Sequence, residues 1–167
     1  LILKSLKIKI EHFSSDVFEK DKRLLLNFGH TFGHAYEMAT DELIKKDFLR
    51  HGEAVALGMI SEIALSYLET NNKNEKKNIF NGLIILEKVL KNLSLPTKLS
   101  LNKKIKKRSL YKKIFFYVFQ DKKRQTDRPI YINFKNNGKL NPKEIQNFDN
   151  INKVIYYLLN KTDIRTI

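Results

Sequence analysis

Residues 23–38 read RLLLNFGHTFGHAYEM, and residues 51–59 read HGEAVALGM. Neither segment contains proline, and both carry apolar residues at helical spacing, so each predicts an α-helix. In the first, Leu26, His30 and Gly33 or His34 share a face. The second starts at His51 and Gly52 and runs to about Leu68. Its Ala54, Ala56 and Gly58 are small, which lets another backbone approach closely. Residues 41–50 read as a charged connection between the two helices.

The rest of the chain extends the helical pattern. Residues 1–12 read as the tail of a helix with Leu3, Leu6 and Ile10 on one side, and Ser14, Ser15 and Asp16 break it. Residues 70–77 read as a polar loop. A third periodic helix covers 79–93 and stops before Pro96. A fourth covers 103–119, with Ile105, Leu110, Ile114 and Phe115 inward. Residues 129–134 are β-branched and aromatic and read as a short strand, followed by the turn signal Asn136, Asn137, Gly138. Residues 151–159 form a terminal helix. The expected class is mainly α, a multi-helix domain with a short strand pair near 129–140.

Composition bounds the function classes. A chain of 167 residues suffices for one domain with a real core, here 1–167, and not for two. There is no cysteine, which excludes disulfides and thiolate metal sites, so a metal must use His, Asp, Glu or water. The longest apolar stretch, 54–68, is interrupted by Ser61 and Glu62 and is shorter than the ~20 residues of a membrane span. A cytoplasmic protein that engages no membrane is expected. The chain opens on Leu1, inside an apolar-periodic stretch, and reads as truncated with no leader before it.

Net charge is +14. One reading is nucleic-acid binding, with the run 103–108 as the best candidate. Lys far outnumbers Arg, however, whereas base readout favours Arg and strand binding favours exposed aromatics among the basic residues. A solvated helix face is the plainer reading of the run, so nucleic acid is disfavoured as a partner.

Three of the four histidines lie within residues 30–51. His30 and His34 are four apart, which on a helix puts both rings on one face. Imidazole suits zinc and related metals, so the pair could share one metal, or one ring could ligate while the other moves protons. His51 can join them if the two helices pack antiparallel. Glu53, in the first turn of its helix, suits the helix dipole and needs no catalytic role. The segment HTFGH lacks the Glu of HExxH proteases, which disfavours peptide hydrolysis. Arg23, Asn27, His30 and His34 are spaced four, three and four, one polar stripe on a single helix. Such a stripe suits an anionic small molecule held beside a metal, because Arg binds carboxylate or phosphate bidentately. The other face carries Leu25, Phe28, Phe32 and Tyr36, which can fill a core.

Taken together, residues 23–35 and 51–59 closely resemble 3-dehydroquinate synthase, with the sugar-phosphate cyclases as broader relatives. The close match covers about 9–68, with weaker similarity at Asp121, Lys122 and Lys123. The resemblance implies the helical C-terminal domain of a zinc- (or cobalt-) and NAD-dependent lyase of the shikimate pathway. That enzyme converts 3-deoxy-arabino-heptulosonate 7-phosphate into 3-dehydroquinate and phosphate and is a homodimer at full length. Carried over by position, His30 and His51 are metal ligands and His34 the acid/base histidine near the substrate phosphate. Glu19 matches a second proton acceptor. Lys9 and Arg23 match positive groups near the substrate carboxylate, Asn27 a polar contact, and Lys122 a phosphate contact with Lys123 as the fallback. The family's third metal ligand, an upstream Glu, and its glycine-rich NAD-binding half have no counterpart here, so no cofactor-binding residue is assigned within this chain.

Three competing readings remain. A related cyclase or a metal-dependent polyol dehydrogenase would share the architecture, although a neutral polyol has no need of Arg23. A basic nucleic-acid-binding module that kept an ancestral helix pair is the alternative of another class. The last is an inactive fragment.

Overall fold

The computed structural model describes residues 2–15, 22–44, 46–100, 106–120, 128–135 and 137–167. Among them are six α-helices and one two-stranded sheet. In chain order these are α1 (Ile2–Ser15), a 3-10 turn (Lys22–Asn27), α2 (His30–Leu43), α3 (His51–Glu69), α4 (Lys73–Asn92), α5 (Lys107–Gln120), β1 (Ile130–Phe134), β2 (Leu140–Glu144), α6 (Asp149–Asn160) and a closing 3-10 turn (Ile164–Thr166). The mainly-α expectation holds, and a strand pair flanks the turn signal, with β2 reaching Glu144, beyond the expected 129–140.

The centre is α3. It is apolar nearly all round, which is the pattern of a helix enclosed on every side. Leu57, Ile60, Ala64 and Leu65 are fully buried, and α2, α4, α6 and β1 pack around it. In turn α2 buries Phe32 and Tyr36 completely and also packs on α5. The Tyr36 hydroxyl lies 2.6 Å from Ser61 Oγ, a polar tie between α2 and α3 inside the core. Burial pushes that phenol well above its ordinary range, with the Ser61 hydrogen bond opposing, so Tyr36 stays neutral.

Three polar residues of α3, Glu62, Ser66 and Glu69, lie four and three residues apart and therefore on one face. They do the work of a missing strand. β1 pairs antiparallel with β2 on one side, Ile132 opposite Pro142, and its other edge would present unpaired N–H groups to the core. Ile132 N–H donates to Glu62 Oε2 at 3.0 Å, and Phe134 N–H donates to Ser66 Oγ at 2.9 Å. Farther along, Gln146 N–H donates to Glu69 Oε1 at 2.8 Å, and Lys143 Nζ lies 3.1 Å from Glu69 Oε2. Glu62, which interrupts the apolar run in the sequence, is fully buried because it receives this backbone donor.

The expected elements need correction in several places. α1 runs through Ser14 and Ser15, where a break is expected, and α2 runs to Leu43, into the expected connection 41–50. Residues 23–38 are not one helix: a 3-10 turn ends at Asn27, and α2 starts only at His30 after Gly29 in the left-handed region, φ +84°. The expected loop 70–77 is shorter, because Asn72 caps α4: its Oδ1 accepts from Asn74 N–H at 3.0 Å and Glu75 N–H at 3.1 Å. Of the basic run 103–108, residues 103–105 lie outside the described residues, and Lys106, Lys107 and Arg108 are exposed. Leu3, Leu6 and Ile10 of α1 are also exposed, Leu3 at 82%. No helix among the described residues is long and apolar enough to cross a membrane.

Candidate metal centre

The site is built by glycine. A Cβ added at Gly58 would sit 1.8 Å from Gly29 O and 2.7 Å from Gly33 N. One added at Gly29 would sit 2.6 Å from Val55 O, and one at Gly33 3.1 Å from Ala54 O. The backbones of α2 and α3 therefore touch, with Gly29 beside Val55 and Met59, and Gly33 beside Ala54 and Val55. That ordering is antiparallel. It carries the first two turns of α2 past the first turns of α3, with His30 and His34 on one side of the seam and His51 on the other.

The three imidazoles meet there. Ring centres are 5.5 Å apart for His30 and His34, 5.6 Å for His30 and His51, and 5.6 Å for His34 and His51. Imidazoles sharing a tetrahedral zinc, each with a nitrogen about 2.0–2.1 Å from it, have ring centres on the order of 5 Å apart. Each pair thus stands at about the separation of two ligands of one metal. The rings are not equivalent: His34 and His51 lie near parallel, 29° between planes, and His30 stands edge-on to His34 at 81°. Among the described residues no group of three or more His, Asp or Glu side chains converges closely enough to hold a metal ion. The donors fit as part of a ligand set: imidazole nitrogens from two rigid helices, at the right separation, with a further donor still required.

Access differs along the seam. His30 and His34 are half-buried, and His51 is exposed at the head of α3. Glu53 has the capping role expected of it, since its Oε2 accepts the Arg50 N–H at 2.8 Å. One carboxylate went unnoticed in the sequence. Glu37 Oε2 lies 3.1 Å from His51 Nδ1. Its spacing of three from His34 was a signal that it shares the histidine face of α2.

The polar stripe is corrected by the break at Gly29. Arg23 and Asn27 are half-buried on the 3-10 turn and do not continue the α2 face that carries His30 and His34. The turn packs against α1, where Lys9 is exposed, and against both strands. Glu19, Lys122 and Lys123 lie outside the described residues.

Comparison with known proteins bears directly on this arrangement. Residues 1–124 match the family model described as 3-dehydroquinate synthase C-terminal. The chain is similar to the pentafunctional AROM polypeptides of Candida glabrata and Kluyveromyces lactis, 38% identical to each over 122 residues. It is 40% identical, over the same length, to that of Zygosaccharomyces rouxii. In each case the match covers 68% of this chain and 7% of the relative.

Proposed function

The chain belongs to the 3-dehydroquinate synthase C-terminal family, and from that premise we propose that it is the metal- and substrate-binding part of an enzyme that makes 3-dehydroquinate. The reaction is the conversion of 3-deoxy-arabino-heptulosonate 7-phosphate to 3-dehydroquinate and phosphate, a carbon–oxygen lyase step of aromatic biosynthesis. The observation that carries this reading is the meeting of His30, His34 and His51 across a glycine seam, within the matched segment.

His30 and His51 hold a zinc or cobalt ion, completed by a carboxylate from outside this chain. NAD is bound chiefly by a nucleotide-binding domain that is likewise outside it. When bound, the metal supplies Lewis acidity at substrate oxygens and NAD a reversible hydride acceptor. His34 stands next to both ligand histidines and is left to move protons, a task suited to imidazole near neutral pH. Arg23 orients the substrate carboxylate through its fork of donors, with Lys9 contributing positive charge and Asn27 a neutral contact. Glu19 serves as the second proton acceptor, and Lys122 contacts phosphate. The surplus of cationic side chains favours encounter with such an anionic substrate.

Two measurements test the reading. Phosphate release from the heptulosonate phosphate, with NAD and zinc, is expected from the full-length enzyme, without NADH formation from neutral polyols. Polyol oxidation in place of phosphate release would assign the chain to a dehydrogenase instead. Independently of turnover, His30→Ala is expected to abolish tight zinc binding. Ordinary zinc stoichiometry in that variant removes His30 from the ligand set.

A further inference from the structure

His51 opens α3, and its side chain is 55% exposed, so packing alone does not hold its ring. Its hydrogen-bonding contact is with Glu37, on the neighbouring helix and 14 residues earlier in the chain. Glu37 Oε2 lies 3.1 Å from His51 Nδ1. An ionised carboxylate can only accept, so in the neutral imidazole this contact places the proton on Nδ1 and leaves the lone pair on Nε2. We infer that Glu37 is a positioning residue for His51, fixing the Nδ1–H tautomer that presents Nε2 as the metal-binding nitrogen. The inference rests on the reading of His51 as a ligand.

Physical chemistry favours the pairing for orientation and not for stability. Exposed ion pairs add little to folding free energy. A carboxylate behind a ligand histidine, by contrast, sets ring orientation and tautomer and raises the basicity of the other nitrogen, typically at 10–100-fold in metal affinity. The geometry already has the parts this requires: Glu37 lies on the same helix as His30 and His34, so one rigid element carries two of the clustered rings and orients the third.

The test uses the 167-residue chain, ¹⁵N-labelled at histidine. Long-range ¹H–¹⁵N spectra at mildly alkaline pH, without metal, report the His51 tautomer. Competition with a chromophoric chelator reports zinc affinity. In the unmodified chain His51 is expected as the Nδ1–H tautomer. In Glu37→Gln the amide can donate as well as accept, so the Nε2–H form is expected to grow in. Zinc affinity is then expected to fall about 10- to 100-fold, while the melting temperature stays unchanged. Glu37→Asp is expected to restore part of both signals. An unchanged tautomer in Glu37→Gln, or zinc affinity within twofold of the unmodified chain, overturns the inference. A tautomer switch with zinc affinity unchanged upholds the Glu37–His51 pairing and sinks the ligand role given to His51.

Discussion

Replacing Gly58 with alanine puts a methyl group 1.8 Å from Gly29 O and 2.7 Å from Gly33 N. Both are backbone atoms, so no side chain can swing aside. Carbon contacts are most favourable at about 3.5–4.0 Å. Relieving the closest approach therefore demands that α2 and α3 separate by an amount on the order of 1–2 Å. Overpacking a well-filled core costs about 1–3 kcal/mol and occasionally more. A clash of the added methyl with backbone at the seam between two buried helices belongs at the upper end, about 3 kcal/mol. For a chain of this length 1 kcal/mol corresponds to roughly 2–4 °C in Tm, so Gly58→Ala should melt roughly 6–12 °C lower. The separation also moves His30 and His34 away from His51, and zinc affinity should fall at least as far as the fold loosens. Thermal melts by circular dichroism and zinc competition measure the two effects. Gly52→Ala is the control: it sits in the same helix with nothing within 4 Å of the added Cβ, and should match or slightly exceed the unmodified stability. If Gly58→Ala melted with the unmodified chain and bound zinc equally well, the close-approach argument for the site would fail.

The other expectations concern the scaffold. Glu62→Ala removes the acceptor for the buried Ile132 N–H and should cost about 1–3 kcal/mol for the orphaned donor, before any cavity cost. Urea unfolding reads the loss, and amide exchange at Ile132 should quicken selectively; retained protection there would refute the strand-substitute role of α3. The Glu42 carboxyl is held below its ordinary value by hydrogen bonds from Lys113 and then Tyr117. Because its folded pKa is depressed, whatever stability the cluster supplies is present above the ordinary carboxylate value of 4.5 and lost as pH falls through the lowered one. Carboxyl titration by NMR should show Glu42 titrating low, and Lys113→Ala should return it toward 4.5; an unmoved titration in that variant contradicts the assignment.

Much of the fold was legible because it is written in spacing. The apolar run of α3, the apolar face of α4 and the Asn–Gly turn between β1 and β2 follow from periodicities of about 3.6 and 2 and from turn chemistry. The same holds for His30 and His34, whose separation of four puts them on one face wherever the helix lies. Glu53 is readable as a cap for the same reason. The order and spacing of the two histidine segments are enough to suggest the family from sequence.

What the chain alone left open are the relations between helices. Gly29 was read as part of a helix interior, because a glycine there and a glycine at φ +84° look alike in a sequence; the Val55 carbonyl and Met59, less than 3 Å from the place of its missing Cβ, mark the contact that needs it. Glu62 stood out as an interruption, and only the unpaired edge of β1 explains why a carboxylate belongs inside. The site divides along the same line. Local spacing determined that His30 and His34 are neighbours and that Arg23 and Asn27 precede them. Packing of α2 on α3 decided that His51 closes the cluster, that Glu37 stands behind it, and that Arg23 and Asn27 sit on a separate turn. Residue spacing sets distances within one helix because its geometry is nearly invariant; the distance between two helices is set by side-chain volume at their seam, here by the three glycines that let the backbones meet.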